Sequence, residues 1–159
     1  MRNYILLFLT VAGVISACNI NKSISGFLPE DVDCLGIEMD GTQTLIAVGL
    51  GKNRYDAIEQ AKKNAVAHVL FNGSKGATRG CHEKPMILEL NARNNHDAYF
   101  NNFFKDGGEY INFIDMDDEK RKLRINRRRV KGRLQVKVSA TVRVNYYKLQ
   151  QQLKKDSII

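Results

Sequence analysis

Apolar and polar residues alternate most strictly near the C-terminal end of the chain. Leu134, Val136, Val138, Ala140, Val142 and Val144 alternate with Gln135, Lys137, Ser139, Thr141 and Arg143. A period of two predicts a strand with one buried and one solvated face. The preceding stretch, Leu123 to Val130, predicts a partner strand, with Lys131-Gly132 as the turn between them. Thr42 to Gly49 is a compact β-branched run bounded by glycines and predicts another strand. The period changes after it. Ile58, Ala61, Ala65, Val66 and Val69 follow helical spacing over residues 54–71, and Glu59, Gln60, Lys62 and Lys63 fall on the expected wet face. Asn53 suits the N-cap, Asp56 the capping-box position three residues on, and Asn72-Gly73 the stop. Alanines at 57, 61, 65 and 67 suit close approach of this helix to a sheet.

The intervening elements are weaker. Residues 74–80 form a Gly-rich connection. Pro85 to Leu90 predicts a second short strand, and 91–97 a loop. Ala98 to Lys105 predicts a short helix capped by Asp97 and stopped by Gly107-Gly108. Glu109 to Ile114 is strand-like, 115–119 a turn, and Tyr146 to Asp156 a last helix capped by Asn145. The order predicts an α+β fold: a mostly antiparallel sheet, with the long helix over about 54–71 and shorter helices packed on one face.

The first residues stand apart. Arg2 is followed by an apolar run from Tyr4 to Ile15 and by Ser16, Ala17 and Cys18. This is the layout of a secretory signal peptide. The run is about a dozen residues, short of the ~20 that cross a bilayer. Ile15-Ser16-Ala17-Cys18 resembles the lipobox of bacterial lipoproteins. That resemblance implies diacylglyceryl attachment at the Cys18 sulfur, removal of residues 1–17, and acylation of the new N-terminus. Residues 18–30 then read as a lipidated tether and 31–159 as one domain. The residues after Cys18 resemble neither the acidic surface-export signals of some Gram-negative lipoproteins nor, with Asn19, the aspartate of an inner-membrane retention signal, and that comparison implies the periplasmic face of the outer membrane.

Charge sharpens the picture. Without Arg2, 24 Lys and Arg remain against 17 Asp and Glu, and the excess is concentrated. Lys120, Arg121, Lys122, Arg124, Arg127, Arg128, Arg129, Lys131 and Arg133 occur with no acidic residue among them, just after Asp115, Asp117, Asp118 and Glu119. No aromatics interleave to stack bases, which argues against nucleic acid. Two readings stand. One is a solvated hairpin beside its own acidic neighbour. The other is a contact surface made by Arg124, Arg127, Arg128, Arg129, Lys131 and Arg133. The aromatic stretch Tyr99, Phe100, Phe103, Phe104, Tyr110 and Phe113 likewise reads as core or as a docking surface.

With Cys18 lipidated, Cys34 and Cys81 remain, as a disulfide or as two buried thiols. Catalytic signals are thin. Gly49-Leu-Gly51 precedes the helix, but Arg54 stands where a dinucleotide motif needs its third glycine. His68, His82 and His96 are scattered, and Cys81-His82-Glu83 lacks a second cluster to complete a metal shell. No nucleophile elbow occurs. The reading is of a protein without catalytic residues, metal or cofactor. Residues 48–66 and 135–149 resemble small envelope lipoproteins and the N-terminal domain of flagellar assembly protein T. That resemblance implies an α+β domain of structural or assembly type and assigns no binding residue. The expected function is that of a non-enzymatic outer-membrane lipoprotein, an accessory subunit of an envelope assembly with a protein partner. The alternative is a periplasmic module binding an anionic glycan or lipid through 120–133.

Overall fold

A computed structural model describes residues 32–74, 80–116, 124–130 and 133–159, with 124–130 and 133–135 described as backbone. The signal peptide, Cys18 and the tether lie outside the described residues, as do Lys131-Gly132 and residues 117–123.

The chain is α+β. Five strands form one sheet: β1 (Val32–Ile37), β2 (Thr42–Gly51), β3 (Ile114–Asp115), β4 (Arg124–Val130) and β5 (Arg133–Asn145). All pairings are antiparallel. β5 is central: β2 pairs with it along one side, and β3 and β4 share the other. Helix α1 (Arg54–Phe71) is the long helix, and α2 (Ala92–Asn95), α3 (Asp97–Phe103) and α4 (Tyr146–Lys155) are shorter. One core takes in the inward side of the sheet, α1, the aromatic segment and Leu149 and Leu153 of α4.

The strongest sequence signals fold as read. Val136, Val138, Ala140, Val142 and Val144 are all buried, while Lys137 is exposed and Ser139, Thr141 and Arg143 are half-exposed. Asn53 caps α1: its Oδ1 accepts from the Asp56 amide at 2.9 Å, and its Nδ2 donates to the Asp56 carboxylate at 3.0 Å. Asn145 Oδ1 caps α4 through the Lys148 amide. At the end of α1, the amides of Asn72 and Gly73 both donate to the His68 carbonyl, and Gly73 takes a φ of +68°.

Helix α1 approaches the sheet closely because neither surface carries bulk there. Ala57, Ala61 and Ala65 are fully buried. Facing them on β2 are Gly49 and Gly51, where a Cβ would land on backbone atoms of Ala57, Ala61 and Asp56. The glycine pair is thus a packing device of the sheet rather than a turn or a phosphate loop. Asn64 fixes the contact: fully buried, it donates from Nδ2 to the Val48 carbonyl at 2.7 Å and accepts from Gln60 at 2.8 Å. The expected wet face of α1 is only half wet, since Glu59, Gln60, Lys62 and Lys63 are all partly buried.

Several weaker expectations give way. The segment 85–90 is not a strand. Its Met86 and Ile87 amides donate to the Val69 and Leu70 carbonyls at 3.0 Å, serving the otherwise unpaired end of α1 instead of a sheet ladder. The expected loop 91–97 contains α2, and α3 starts at Asp97, whose carboxylate accepts from Asn101 rather than capping the helix. Glu109–Phe113 is a 3-10 turn, and only Ile114 and Asp115 join the sheet. The aromatic stretch is core: Phe100, Phe103, Phe104, Tyr110 and Phe113 are buried, with rings in stacked, tilted and edge-on contact.

Two phenols, buried Tyr110 and half-buried Tyr99, link this cluster to the helices. Tyr110 donates to Glu59 at 2.6 Å and Tyr99 to Asp156 at 2.7 Å. Burial, and then the carboxylate partner, pushes both phenols well above their ordinary value of 10.0. A phenol held neutral in the fold but free to ionise when unfolded contributes stability that is intact below pH 10.0 and is lost as pH rises beyond it. Thermal melting is expected to fall steeply above that pH in the wild type. It should fall less steeply in Tyr110→Phe, which starts about 1 kcal/mol lower at neutral pH for the lost hydrogen bond. Parallel alkaline slopes would contradict the assignment.

Candidate functional site

The basic residues are organised by the β4–β5 hairpin. Their spacing follows from the ladder: Arg124 pairs with Ser139, Arg127 with Val136, Arg128 with Gln135, Arg129 with Leu134 and Val130 with Arg133. Of the residues singled out from sequence, Arg124, Arg127, Arg128 and Arg129 lie on β4, and Arg133 on β5. Lys131 lies outside the described residues.

Register also fixes how far the hairpin reaches. The β2–β5 ladder ends at Gly51 paired with Val136. The β4–β5 ladder continues past that point to Val130 paired with Arg133. Beyond Val136 the described sheet is therefore a two-stranded arm, and Arg128, Arg129 and Arg133 stand on it. Arg127 stands level with its root. A two-stranded ribbon has little stability of its own and depends on what it joins.

The arm also continues a sheet face that no described helix covers. On this face Thr44, Ile46 and Val48 of β2 are half-exposed and Leu50 is exposed, next to Lys137, Ser139 and Thr141 of β5. Arg124, Asn126 and Arg128 are in register with its β5 residues. At the far edge the face turns acidic, with Glu38 accepting from Thr44 Oγ1 at 2.9 Å and lying 3.4 Å from Arg143 Nε.

A discontinuity precedes the arm. Asp115 pairs with Arg143, and the next pairing on that side of β5 is Arg124 with Ser139. Between these two pairings β5 advances from Arg143 to Ser139.

A second polar group lies across the core; its disulfide is one of the two alternatives the sequence leaves for Cys34 and Cys81, whereas its Gln43, Ser74 and His68 carry no sequence motif. Cys34 of β1 and Cys81 form a disulfide, with Cα atoms 6.5 Å apart. Beside it Gln43, 1% exposed, donates from Nε2 to Cys34 Sγ and to Ser74 Oγ, each at 3.3 Å. Ser74 Oγ lies 3.2 Å from His68 Nε2, and both residues are 7% exposed. The Ser74 amide donates to the His82 carbonyl at 2.9 Å. The end of α1, β1, β2 and the segment entered through Cys81 are tied together here. A serine beside an imidazole is the pairing of a nucleophile with its base. Here the serine is under the surface and also accepts from an amide, which suits a buried network that locks four segments together. The sequence did carry a signal for it. His68 follows Ala61 and Ala65 by seven and three residues, which places it on their face of α1. Bridging leaves Cys81 no thiol for chemistry with His82, whose ring stacks on Tyr146 at 3.8 Å. Among the described residues, no group of three or more His, Cys, Asp or Glu is placed to hold a metal, and no helix is long and apolar enough to cross a membrane.

Compared with known proteins, the chain matches no family model, no curated protein sequence and no solved structure.

Proposed function

We propose that this chain is a non-enzymatic, lipid-anchored protein of the outer membrane, held at Cys18 and facing the periplasm, and that it serves as an accessory subunit of a cell-envelope assembly. The observation that carries the reading is the two-stranded arm. Arg128, Arg129 and Arg133 stand on the part of the hairpin that runs past the end of β2. A concentration of like charge on such an arm raises the self-energy of the domain and is offset when an acidic surface docks on it. The Cys34–Cys81 bridge suits the oxidising compartment that the leader predicts.

The test replaces Arg127, Arg128 and Arg129 with Ser in the full chain. The domain should melt within about 1 kcal/mol of wild type, as surface substitutions do. Capture of its envelope partner from crosslinked cells should fall about tenfold or more at low salt, where surface charge acts most strongly. Undiminished capture would remove the arm from the proposal. Arginine-dependent binding to a purified anionic glycan or to anionic vesicles, with no protein captured, would replace the accessory-subunit reading with that of a ligand-binding module.

A further inference from the structure

Resting on the reading of the hairpin as the contact surface, we propose that β4 is a docking edge that takes up an extended acidic peptide segment of the partner as an additional strand. The juxtaposition is one of topology and sequence. β4 pairs with β5 on one side, and among the described residues no strand pairs with its other side. It is seven residues long, and four of them, Arg124, Arg127, Arg128 and Arg129, are arginines. A free edge offers a row of unpaired amides and carbonyls, the template that strand-adding partners use. Arginine adds the planar fork that pairs with carboxylates in bidentate fashion.

The same composition selects the occupant. Two copies of β4 laid edge to edge would set arginine against arginine across the ladder, which is destabilising. An acidic strand reverses the sign of every such pairing. A ligand bound by charge alone would have no use for the backbone edge, and that difference makes the mode testable.

The probe is a fluorescent peptide of seven residues, the length of β4, alternating glutamate and threonine. Its binding to the full chain in detergent is read by anisotropy. Two further peptides carry N-methyl groups on one alternate set of residues or on the other. They keep every carboxylate, but each removes the amides that face one side of the strand. Strand addition predicts that one methylated peptide loses about tenfold or more in affinity while the other stays within about twofold. Equal binding of both would overturn the strand mode while leaving the arginines as an electrostatic surface. Binding of the unmethylated peptide that survives Arg127→Ser, Arg128→Ser and Arg129→Ser together would overturn the underlying reading of the hairpin instead. Concentration-dependent self-association of the chain without peptide binding would assign the edge to a second copy and end the proposal.

Discussion

Gly49→Ala is expected to destabilise the domain by about 3 kcal/mol, and Gly49→Val to leave no folded population, although neither change adds a polar group or a charge. The reason is the height of α1 above the sheet. A Cβ at position 49 would overlap the carbonyl oxygen of Ala57 and the amide nitrogen of Ala61, and would sit 3.0 Å from the Ala61 Cα. These are backbone atoms of a helix interior, so no side-chain rotation relieves the overlap. The helix would have to lift, and lifting it also breaks the bond from Asn64 to the Val48 carbonyl and opens space around Ala57, Ala61 and Ala65. The control is the next residue. Leu50 is on the opposite, open face and 38% exposed, so Leu50→Ala should cost less than about 1 kcal/mol. Urea unfolding followed by circular dichroism separates the two. Gly49→Ala with a wild-type midpoint would mean that α1 does not ride on the glycines.

The second large effect is loss of the bridge. Cys34 and Cys81 are 47 residues apart, and closing a loop of that length is worth about 4 kcal/mol in the chain-entropy account. The structure adds a local reason. Among the described residues β1 is an edge strand held on one side by β2, with a register shift between Cys34 and Gly36, so its covalent tie to Cys81 is a large part of what keeps it in place. Behind the bridge lies buried Gln43, whose Oε1 has no hydrogen-bond partner among the described residues. Replacing both cysteines with Ser is expected to lower stability by about that amount, and a reducing agent should bring the wild type down to the same midpoint. Insensitivity of the midpoint to reduction would contradict the bridge as a stabilising element.

What the sequence made legible follows a physical division. Elements whose signal is local are legible in the sequence. Asn53 with Asp56, Asn145 before Tyr146, and the alternation through Val144 each satisfy their own backbone or bury their own face. Elements decided by a distant partner are not. Residues 85–90 have strand-like composition, but their amides find the end of α1 before any strand. The run Glu109 to Phe113 winds into a 3-10 turn that seats Tyr110 on Glu59, a contact across 51 positions. β1 was missed because Asp33 and the shift at Gly36 interrupt its alternation over only six residues.

The candidate site divides in the same way. The density of arginine is plain from 120–133. What spacing alone did not show is that β2 stops at Gly51 while the hairpin runs on, because that depends on the register of two ladders on opposite sides of β5. Cys34 and Cys81 were the only pair left once Cys18 was set aside, but their approach to 6.5 Å depends on how β1 is laid beside β2.

The central claim is that a lipid anchor at Cys18 presents a basic arm to a protein of the envelope. Its most direct test is affinity purification from crosslinked cells, using the full chain tagged after Ile159 beside a Cys18→Ala control. The account predicts a recurring set of envelope proteins that is captured with Cys18 and lost without it. Capture that is the same in both chains, or a bait that returns no protein partner, would contradict it.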